Sequence, residues 1–316
     1  MDKIIYKLPH EFIKRLKKIY PKEFPAISET FLHRKNPFFR INYLKTDLTS
    51  LRRDLQKENI KFKELSFPQG AFLLKSPLRK LQNTIVYEQG HLYVQNLSSM
   101  LPAIFLEPEG GDKILDLCAA PGAKTTQIAS LAPNAEIIAI EKVRKRYYKL
   151  LSNLKKQGAS SVNAYLLDGG MVRKKFPEGF NKVLVDASCS AEGRFFVHNP
   201  KSFKYWKLKK IKEMVRKQKK LLGASFFACA EGGAIIYSTC TMAPEENEEI
   251  IDWFINKFED CLEILPLKIP LPNIESGKQR WKNKRFLPHV ARAKRIIPTD
   301  SMEGFFIAKI KKIASR

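Results

Sequence analysis

Cysteine, acidic residues and long apolar runs are all scarce in this sequence. Its five cysteines are widely spaced, with no Cys-x-x-Cys pair and no nearby histidine that would complete a zinc site. No apolar stretch is long enough to span a bilayer, and Met1–Lys7 lacks the apolar core and cleavage site of a signal peptide. We therefore predict a cytoplasmic protein with free thiols that binds neither a metal nor a membrane.

The scarcity of acidic residues leaves a large excess of positive charge. The 57 lysines and arginines stand against 32 aspartates and glutamates, which gives a formal charge of +25. Such an excess favours a polyanionic partner, most simply RNA or DNA, bound with strong salt dependence. A solvated lysine-rich surface explains the charge almost as well, so charge alone leaves both interpretations open.

The sequence also lacks glycine-rich nucleotide motifs. The small-residue turn Cys118–Lys124 has one glycine, which argues against the Gly-x-Gly-x-x-Gly of NAD-binding folds and against the P-loop of ATPases. Four successive predicted strands end instead in a carboxylate, at Asp116, Glu141, Asp168 and Asp186. Carboxylates at the carboxyl ends of parallel strands suit hydroxyl and amine donors, so S-adenosylmethionine fits better than a phosphate-rich cofactor. The alternative is that these residues only cap strand ends.

Strand and helix patterns divide the chain into two predicted domains. Residues 1–84 have the pattern of a small α+β domain, and residues 85–316 that of a Rossmann-like, doubly wound α/β domain. In the first domain we predict helices at Pro9–Ile19 and Leu48–Asn59 and strands at Phe38–Asn42 and Ile60–Leu65, the last at a sheet edge. In the second domain we predict strands at Ile114–Leu117, Ile137–Ile140, Asn163–Leu167, Lys182–Val185, Ala234–Tyr237 and Gly304–Ile310. The predicted helices there are Lys124–Leu131, Arg144–Gln157 with Gly158 as its C-cap, Phe203–Ala230 and Glu245–Lys257.

Two of the cysteines end strand-like runs. Cys189 ends the run that begins at Val183, and Cys240 ends the run that begins at Ala234. A turn that can hold a nucleotide cofactor, together with two thiols at strand ends, predicts covalent catalysis on a nucleic-acid base. The remaining cysteines have apolar or helical neighbours and are predicted to be buried: Cys118, Cys229 and Cys261.

Several ordered motifs resemble those of one enzyme family. Asp116–Lys124 is similar to that family's cofactor loop, and Asp186–Cys189 and Ser238–Thr241 are similar to its two cysteine motifs. Further similar segments are Arg40–Lys45, Gly90–Gln95 with Ser98 and Ser99, Glu141 with Arg146 and Asn153, Glu245–Glu248, Pro298 and Glu303–Phe306. The chain thus resembles the Sun/NOL1/NOP2 family of RNA cytosine-5 methyltransferases from about Phe39 to Lys309.

The resemblance implies S-adenosylmethionine as the cofactor and tRNA or rRNA as the substrate. Glu141 would take the ribose hydroxyls, Asp168 would lie near the adenine, and Asp186 near the methionine amine and the target base. Cys240 would be the nucleophile, and Cys189 would assist release of the methylated product. The implied cofactor-binding residues are Cys118, Ala119, Ala120, Pro121, Gly122, Ala123, Lys124, Glu141, Arg146, Asp168 and Asp186.

The chemistry of the reaction explains these residue types. Cytosine C5 is a weak nucleophile, and a thiolate that adds to C6 places enamine-like electron density on C5. The charge that develops at N3 needs an acid or a strong hydrogen-bond donor, which Asp186 supplies if it shares a proton with the base. Lys124 is a candidate for electrostatic help, or it only begins a helix. The target base must also leave its stack.

The chain departs from the family motif beside one cysteine. The family has Asp-Ala-Pro-Cys-Ser-Gly-x-Gly, and here Ser188 replaces the proline and Ala191 the first glycine. A proline would fix the backbone before Cys189, so the placement of that thiol is less constrained by the sequence. Arg194 has two predicted partners, a phosphate or Glu192.

Two other functions stay open at this level. One is a methyltransferase-like RNA-binding or ribosome-assembly protein with little catalysis, and the other is a methyltransferase acting on a base nitrogen. Two basic stretches with aromatics are predicted to contact RNA: Lys201–Lys220 with Tyr205 and Trp206, and Lys278–Arg295 with Trp281 and Phe286. We predict a monomer.

Overall fold

The chain begins with two helices that pack on the large domain. The computed structural model describes residue 5, residues 7–176 and residues 179–315, so most of Met1–Lys7 lies outside the described residues. Helix α1 spans His10–Ile19, as predicted, and α2 spans Phe24–Glu29. One face of α1 is apolar, and Phe12 on that face lies 4.7 Å from the ring of Phe195, centroid to centroid. The two helices therefore belong to the core of the large domain.

A small domain with its own core follows. Its elements are β1 Phe38–Ile41, α3 Leu48–Lys57, β2 Phe62–Glu64, β3 Ala71–Leu74, α4 Leu78–Gln82, α5 Ile85–Glu88 and β4 Leu92–Val94. Within the described residues these strands form an antiparallel sheet in the order β2–β3–β1–β4. Phe39 and Phe72 stack in its core with Leu51 and Leu55 of α3. The predicted edge strand is confirmed as β2, but the predicted boundary at residue 84 divides the sheet, because β4 comes after it.

The large domain contains the remaining elements. Its helices are α6 Leu97–Phe105, α7 Ala123–Leu131, α8 Arg144–Gln157, α9 Leu208–Ala228 and α10 Glu248–Phe258. Its strands are β5 Lys113–Asp116, β6 Glu136–Glu141, β7 Val162–Leu166, β8 Phe180–Asp186, β9 Cys229–Thr239, β10 Leu262–Leu265, β11 Ile274–Ser276, β12 Arg280–Trp281, β13 Lys284–Arg285, β14 Lys294–Ile296 and β15 Phe305–Lys312.

The central sheet explains why the site forms where it does. Strands β7, β6, β5, β8 and β9 pair in parallel in that order, and β15, β14 and β11 extend the sheet with antiparallel pairing. The connections run to opposite sides of β5, so a crevice opens at the carboxyl ends of β5 and β8. The doubly wound fold is thus confirmed.

Both faces of this sheet are covered. Ile138 and Ile140 of β6 face one apolar cluster, while Ile137 and Ala139 face the other. Burial on both faces produces the nearly continuous apolar strands seen in the sequence. No helix in the described part of the chain is long and apolar enough to cross a bilayer.

Two predicted helices begin later than expected. Phe203–Tyr205 form a turn, and α9 begins only after Lys207, because the Trp206 indole N–H donates to Glu192 Oε1 at 3.0 Å and the backbone of Lys207 is extended. Helix α10 begins at Glu248 rather than Glu245, because the preceding residues form a turn. The third predicted strand is displaced by one residue, to Val162–Leu166.

Candidate active site

A cleft of about 460 Å³ opens at the carboxyl ends of the parallel strands. The small domain forms one wall through Tyr93 and Gln95, and Phe305 of β15 lies on the opposite side. Of the predicted site residues, the following line this cleft: Cys118, Ala120, Pro121, Ala123, Lys124, Arg146, Asp186, Cys189 and Cys240. Four other predicted site residues are not among the residues that line it: Ala119, Gly122, Glu141 and Asp168. Cys229 is buried as predicted, whereas Cys118 and Cys261 are only half-buried.

The cofactor loop is held by its own strand and helix. Asp116 is buried, and its two carboxylate oxygens accept from the Cys118 N–H at 3.2 Å and from Thr125 Oγ1 at 2.7 Å. Burial raises the pKa of Asp116 to about 6. Gly122 begins α7 with φ +106°, a conformation that other residues rarely adopt. Asp116 therefore shapes the loop and is not one of the carboxylates that face a ligand.

The loop carbonyls accept hydrogen bonds from side chains of other segments. Arg146 donates to the carbonyl of Ala120, and Asn153 donates to that of Pro121 at 2.7 Å. From the small domain, Arg40 Nη2 donates to the Ala123 carbonyl at 3.0 Å. These three hydrogen bonds hold the loop in one conformation through its carbonyl groups. The contribution of Arg40 was not predicted, because its partner lies on another domain.

The two other predicted carboxylates have different surroundings. Glu141 is buried, accepts from the Val143 N–H at 2.7 Å and lies 3.3 Å from Arg146. Asp168 accepts from Lys142 at 2.9 Å and Lys220 at 3.2 Å. Partial burial raises the pKa of Asp168, but the hydrogen bonds from Lys142, Gly170 and Lys220 outweigh it and lower the pKa to about 2. Asp168 is thus ionised across the physiological range.

Asp186 and Lys124 form an ion pair at the centre of the cleft. Lys124 Nζ lies 2.7 Å from Asp186 Oδ2 and also donates to Ser99 Oγ at 2.7 Å. Ser238 Oγ donates to Asp186 Oδ1 at 2.7 Å. The roles of Ser99 and Ser238 were not predicted, although Ser238 pairs in register with Asp186 on adjacent parallel strands. Lys124 does more than begin a helix, because it fixes the orientation of this carboxylate.

The two predicted catalytic thiols face each other. Cys189 Sγ and Cys240 Sγ are 3.3 Å apart, although 51 residues separate them in the chain. The hydrogen bond to Cys240 and burial raise the pKa of Cys189 well above its ordinary value. Cys189 therefore keeps its proton near neutral pH and can direct its S–H at Cys240.

The end of the loop that carries Cys189 is packed against the closing segment Glu303–Phe306. A Cβ on Gly193 would lie 2.0 Å from the Gly304 carbonyl oxygen, so a side chain cannot fit there. The Gly193 N–H donates to the Cys240 carbonyl at 3.0 Å. Arg194 lies 3.5 Å from Glu303, whereas Glu192 accepts from Trp206. The predicted Arg194–Glu192 pair is therefore wrong.

Comparison with known families identifies the chain. A family model described as 16S rRNA methyltransferase RsmB/F matches residues 103–311. The chain belongs to this family. A second model, the ferredoxin-like domain of RsmF/B-like methyltransferases, matches residues 8–80 of this methyltransferase. The family predicted from the motifs is thereby confirmed.

Named relatives of this methyltransferase modify two kinds of RNA. It is 36% identical over 284 residues to a tRNA (cytosine(49)-C(5))-methyltransferase of Pyrococcus abyssi, which covers 87% of this chain and 88% of the relative. It is 32% identical over 319 residues to the ribosomal RNA small subunit methyltransferase F of Pectobacterium carotovorum. That match covers 98% of this chain but 63% of the relative, so the chain spans less than two thirds of the bacterial enzyme.

A solved structure confirms the fold of this methyltransferase. The crystal structure of a methyltransferase homolog protein from Pyrococcus horikoshii superimposes with a TM-score of 0.85 and 28% identity, covering 99% of this chain and 100% of that one. The structure of NSun6 from the same organism with SFG gives a TM-score of 0.82 at 23% identity, over 97% and 99% of the two chains.

Proposed function

We propose that the protein methylates C5 of a cytosine in tRNA or rRNA, with S-adenosylmethionine as the methyl donor. The observation that carries this proposal is the pair of thiols, 3.3 Å apart, beside the Lys124–Asp186 ion pair. A nucleophilic thiol is needed because C5 does not react directly. Family membership and the activities of the named relatives support the same reaction.

The residues around the cleft fit S-adenosylmethionine. The Asp186 side chain is 29% exposed and keeps lone pairs for an ammonium group. Glu141, at the end of β6, would accept the ribose hydroxyls with Oε2, the oxygen that does not accept from Val143 and that lies 3.3 Å from Arg146. Asp168 would accept a hydrogen bond from the adenine amino group in place of its ion pair with Lys142 or Lys220. These two lysine side chains are 67% and 52% exposed, so either can turn into solvent. When bound, the cofactor supplies an electrophilic methyl group.

The chain's own residues would carry out the remaining chemistry. The Cys240 thiolate forms a bond from Sγ to C6, and the electron pair of the C5–C6 double bond moves towards N3 and C5. Asp186, held by Lys124 and Ser238 at the base edge, would receive the proton that leaves the Cys240 thiol and share it with N3, where negative charge develops. After C5 takes the methyl group, solvent water in the open cleft would take the C5 proton, the C5–C6 double bond would form again and the Sγ–C6 bond would break. Cys240 then leaves as a thiolate.

Cys189 would assist that last step. Because its pKa is raised, its S–H is available when the bond between Cys240 and C6 breaks. A donor 3.3 Å from the leaving sulfur stabilises the thiolate as it forms. We therefore assign Cys189 to product release and Cys240 to formation of the covalent adduct.

RNA would approach over a basic surface near the Cys189 loop. The segment before α9 exposes Tyr205, which is 75% exposed, between the exposed lysines Lys204 and Lys207. The other predicted aromatics do not face solvent: Trp206, Trp281 and Phe286 are all buried. Tyr205 is therefore the stacking candidate, and Lys278–Arg295 would contribute charge alone.

The experiment that tests this proposal separates the two thiols. Wild type, Cys240→Ala and Cys189→Ala are incubated with labelled tRNA or rRNA and S-adenosylmethionine, and covalent adducts are resolved on denaturing gels. Cys261→Ala is the matched control, because Cys261 is equally half-buried but lies outside the cleft. We expect Cys240→Ala to lose methylation by at least about a thousandfold, and Cys189→Ala to accumulate an RNA–protein adduct.

The opposite results would contradict the proposal in distinct ways. Undiminished methylation by Cys240→Ala would move the target to another atom, such as a base nitrogen. RNA binding by wild type without methylation of either RNA class would favour a binding or assembly role.

A further inference from the structure

The loop that carries Cys189 is weakly constrained by its own backbone. Ser188 stands before the thiol where the family motif has a proline, so its φ is not fixed by a ring. Ala191 adopts φ +57°, in the left-handed region that strains any residue with a Cβ. Contacts from outside the loop must therefore hold the Cys189 thiol 3.3 Å from Cys240.

Two buried side chains supply such contacts on both sides of Cys189. Gln218 on α9 donates from Nε2 to the Ser188 carbonyl at 3.1 Å and to Glu246 Oε2 at 2.8 Å. Glu246 accepts from the Ser190 N–H at 3.0 Å and also from the Ser190 hydroxyl. Gln218 and Glu246 are both 0% exposed, so water does not compete for these bonds.

The same network reaches the segment that follows Cys240. Ser190 Oγ lies 2.7 Å from Thr241 Oγ1, next to the nucleophile. The Tyr237 hydroxyl of β9 donates to the backbone carbonyl of Glu246 at 2.7 Å, which ties Glu246 to the strand that delivers Cys240. One network thus joins the residues that flank both thiols.

We infer that Gln218 and Glu246 are positioning residues that set the distance between Cys189 and Cys240. They touch neither substrate nor cofactor, and they act by holding Ser188 and Ser190 on either side of the releasing thiol. The consequence for catalysis rests on the proposed function, in which Cys189 assists release. The positioning itself does not depend on that function.

The first test measures thiol placement without RNA. Phenylarsine oxide condenses with two neighbouring thiols, forming two As–S bonds and releasing one water with no change of oxidation state. We expect the full-length wild type to bind it one to one through Cys189 and Cys240, and Cys189→Ala to lose this binding. Gln218→Leu should raise the dissociation constant by about tenfold or more, because the second thiol is no longer held near the first.

A matched control separates positioning from loss of a buried amide. Gln157 on α8 is also buried, and among the described residues its Oε1 and that of Gln218 both lack a hydrogen-bond partner. Gln157→Leu should leave the arsenical affinity unchanged. If Gln218→Leu does not fold, Ser190→Ala removes one link of the network in a milder way. Unchanged affinity in both Gln218→Leu and Ser190→Ala overturns the inference.

The second test follows the covalent adduct with RNA. Gln218→Leu should form the Cys240 adduct at a rate within about twofold of wild type but release it about tenfold more slowly, since misplacement by 1 Å can cost about a hundredfold and Gln218 is only one part of the network. Adding Ser188→Pro should restore release, because a ring replaces the lost constraint. Weaker arsenical binding with normal release would keep the positioning role and overturn the role of Cys189. Equal slowing of both steps would indicate general destabilisation and overturn the specific assignment.

Discussion

The two halves of the cleft are supported by different kinds of contact. On the cofactor half, Arg146, Asn153 and Arg40 bind backbone carbonyls of one continuous loop. On the thiol half, Gln218 and Glu246 join two segments that meet only in the folded chain. The cofactor half is therefore one local motif whose carbonyls are held by side chains from other segments. The thiol half depends instead on a buried polar network that joins distant parts of the chain.

Lys124 lies where the two halves meet, so its loss should have the largest effect after the loss of Cys240 itself. Lys124→Met leaves Asp186 without its cation and should lower kcat by about a hundredfold or more, because the carboxyl group at the base loses its orientation. Steady-state methylation kinetics would measure it. Lys309→Met is the control, since the Lys309 side chain is similarly buried and pairs at 2.6 Å with the exposed Glu107, away from the cleft. Equal losses in both variants would contradict a special role for Lys124.

Substitution of Arg40 should weaken cofactor binding without changing the placement of the two thiols. Its guanidinium is buried with no carboxylate partner among the described residues, and burial lowers its pKa to about 9. Arg40→Met should weaken binding of S-adenosylhomocysteine, measured by calorimetry, about tenfold because the Ala123 carbonyl loses its donor. Phenylarsine oxide should bind as in wild type. Arg52→Met, on an exposed surface pair with Glu64, should change neither.

On the thiol half, the raised pKa of Glu246 predicts a pH dependence of the stability of the folded protein. Burial raises the pKa of Glu246 to about 8 from its ordinary 4.5, with a further upward contribution from Glu192 and opposing hydrogen bonds from Ser190 and Gln218. The folded state therefore holds a proton that the unfolded state releases, so this stabilisation is complete below about pH 4.5 and is lost as the pH rises towards 8.

Glu246→Gln removes that titration while keeping the shape of the side chain. We expect the Tm difference between the variant and wild type to shift in favour of the variant from pH 5 to pH 8, as followed by calorimetry. Asp116, whose pKa is raised to about 6, titrates in both proteins and cancels in the difference. A constant difference across this range would show that Glu246 is ionised throughout.

The smallest effect is expected outside both halves. Tyr205→Ala should weaken RNA binding by about fivefold, the loss of one stacked base at the low end of its usual contribution, and leave both cofactor and arsenical affinities unchanged. Filter binding at fixed salt would measure it. Tyr148→Ala is the control, because Tyr148 is also exposed, at 55%, and lies beside Arg144 on α8. A stronger effect of Tyr148 would place the RNA on the cofactor side.

Sequence reasoning placed elements and side chains correctly where the signal lies in consecutive residues. The loop from Asp116 to Lys124, both cysteines and the parallel strands were all predicted, because apolar runs and a glycine turn have local physical causes. Gln218 was missed because it lies 28 residues from Glu246, and a glutamine within a basic helix carries no local signal. The packing of α1 on the large domain was missed for the same reason, since its partners come from much later in the chain.

The docking of the first helices has a consequence for synthesis. Tyr20, just after α1, accepts a hydrogen bond from Arg295 at 2.8 Å across 275 residues. At ribosomal rates of about 5–20 residues per second, the surface that receives these helices is complete only about 14–55 s after they emerge. During that interval the apolar face of α1 has no partner to pack against. We therefore expect the nascent chain to expose this apolar face well before its active site exists.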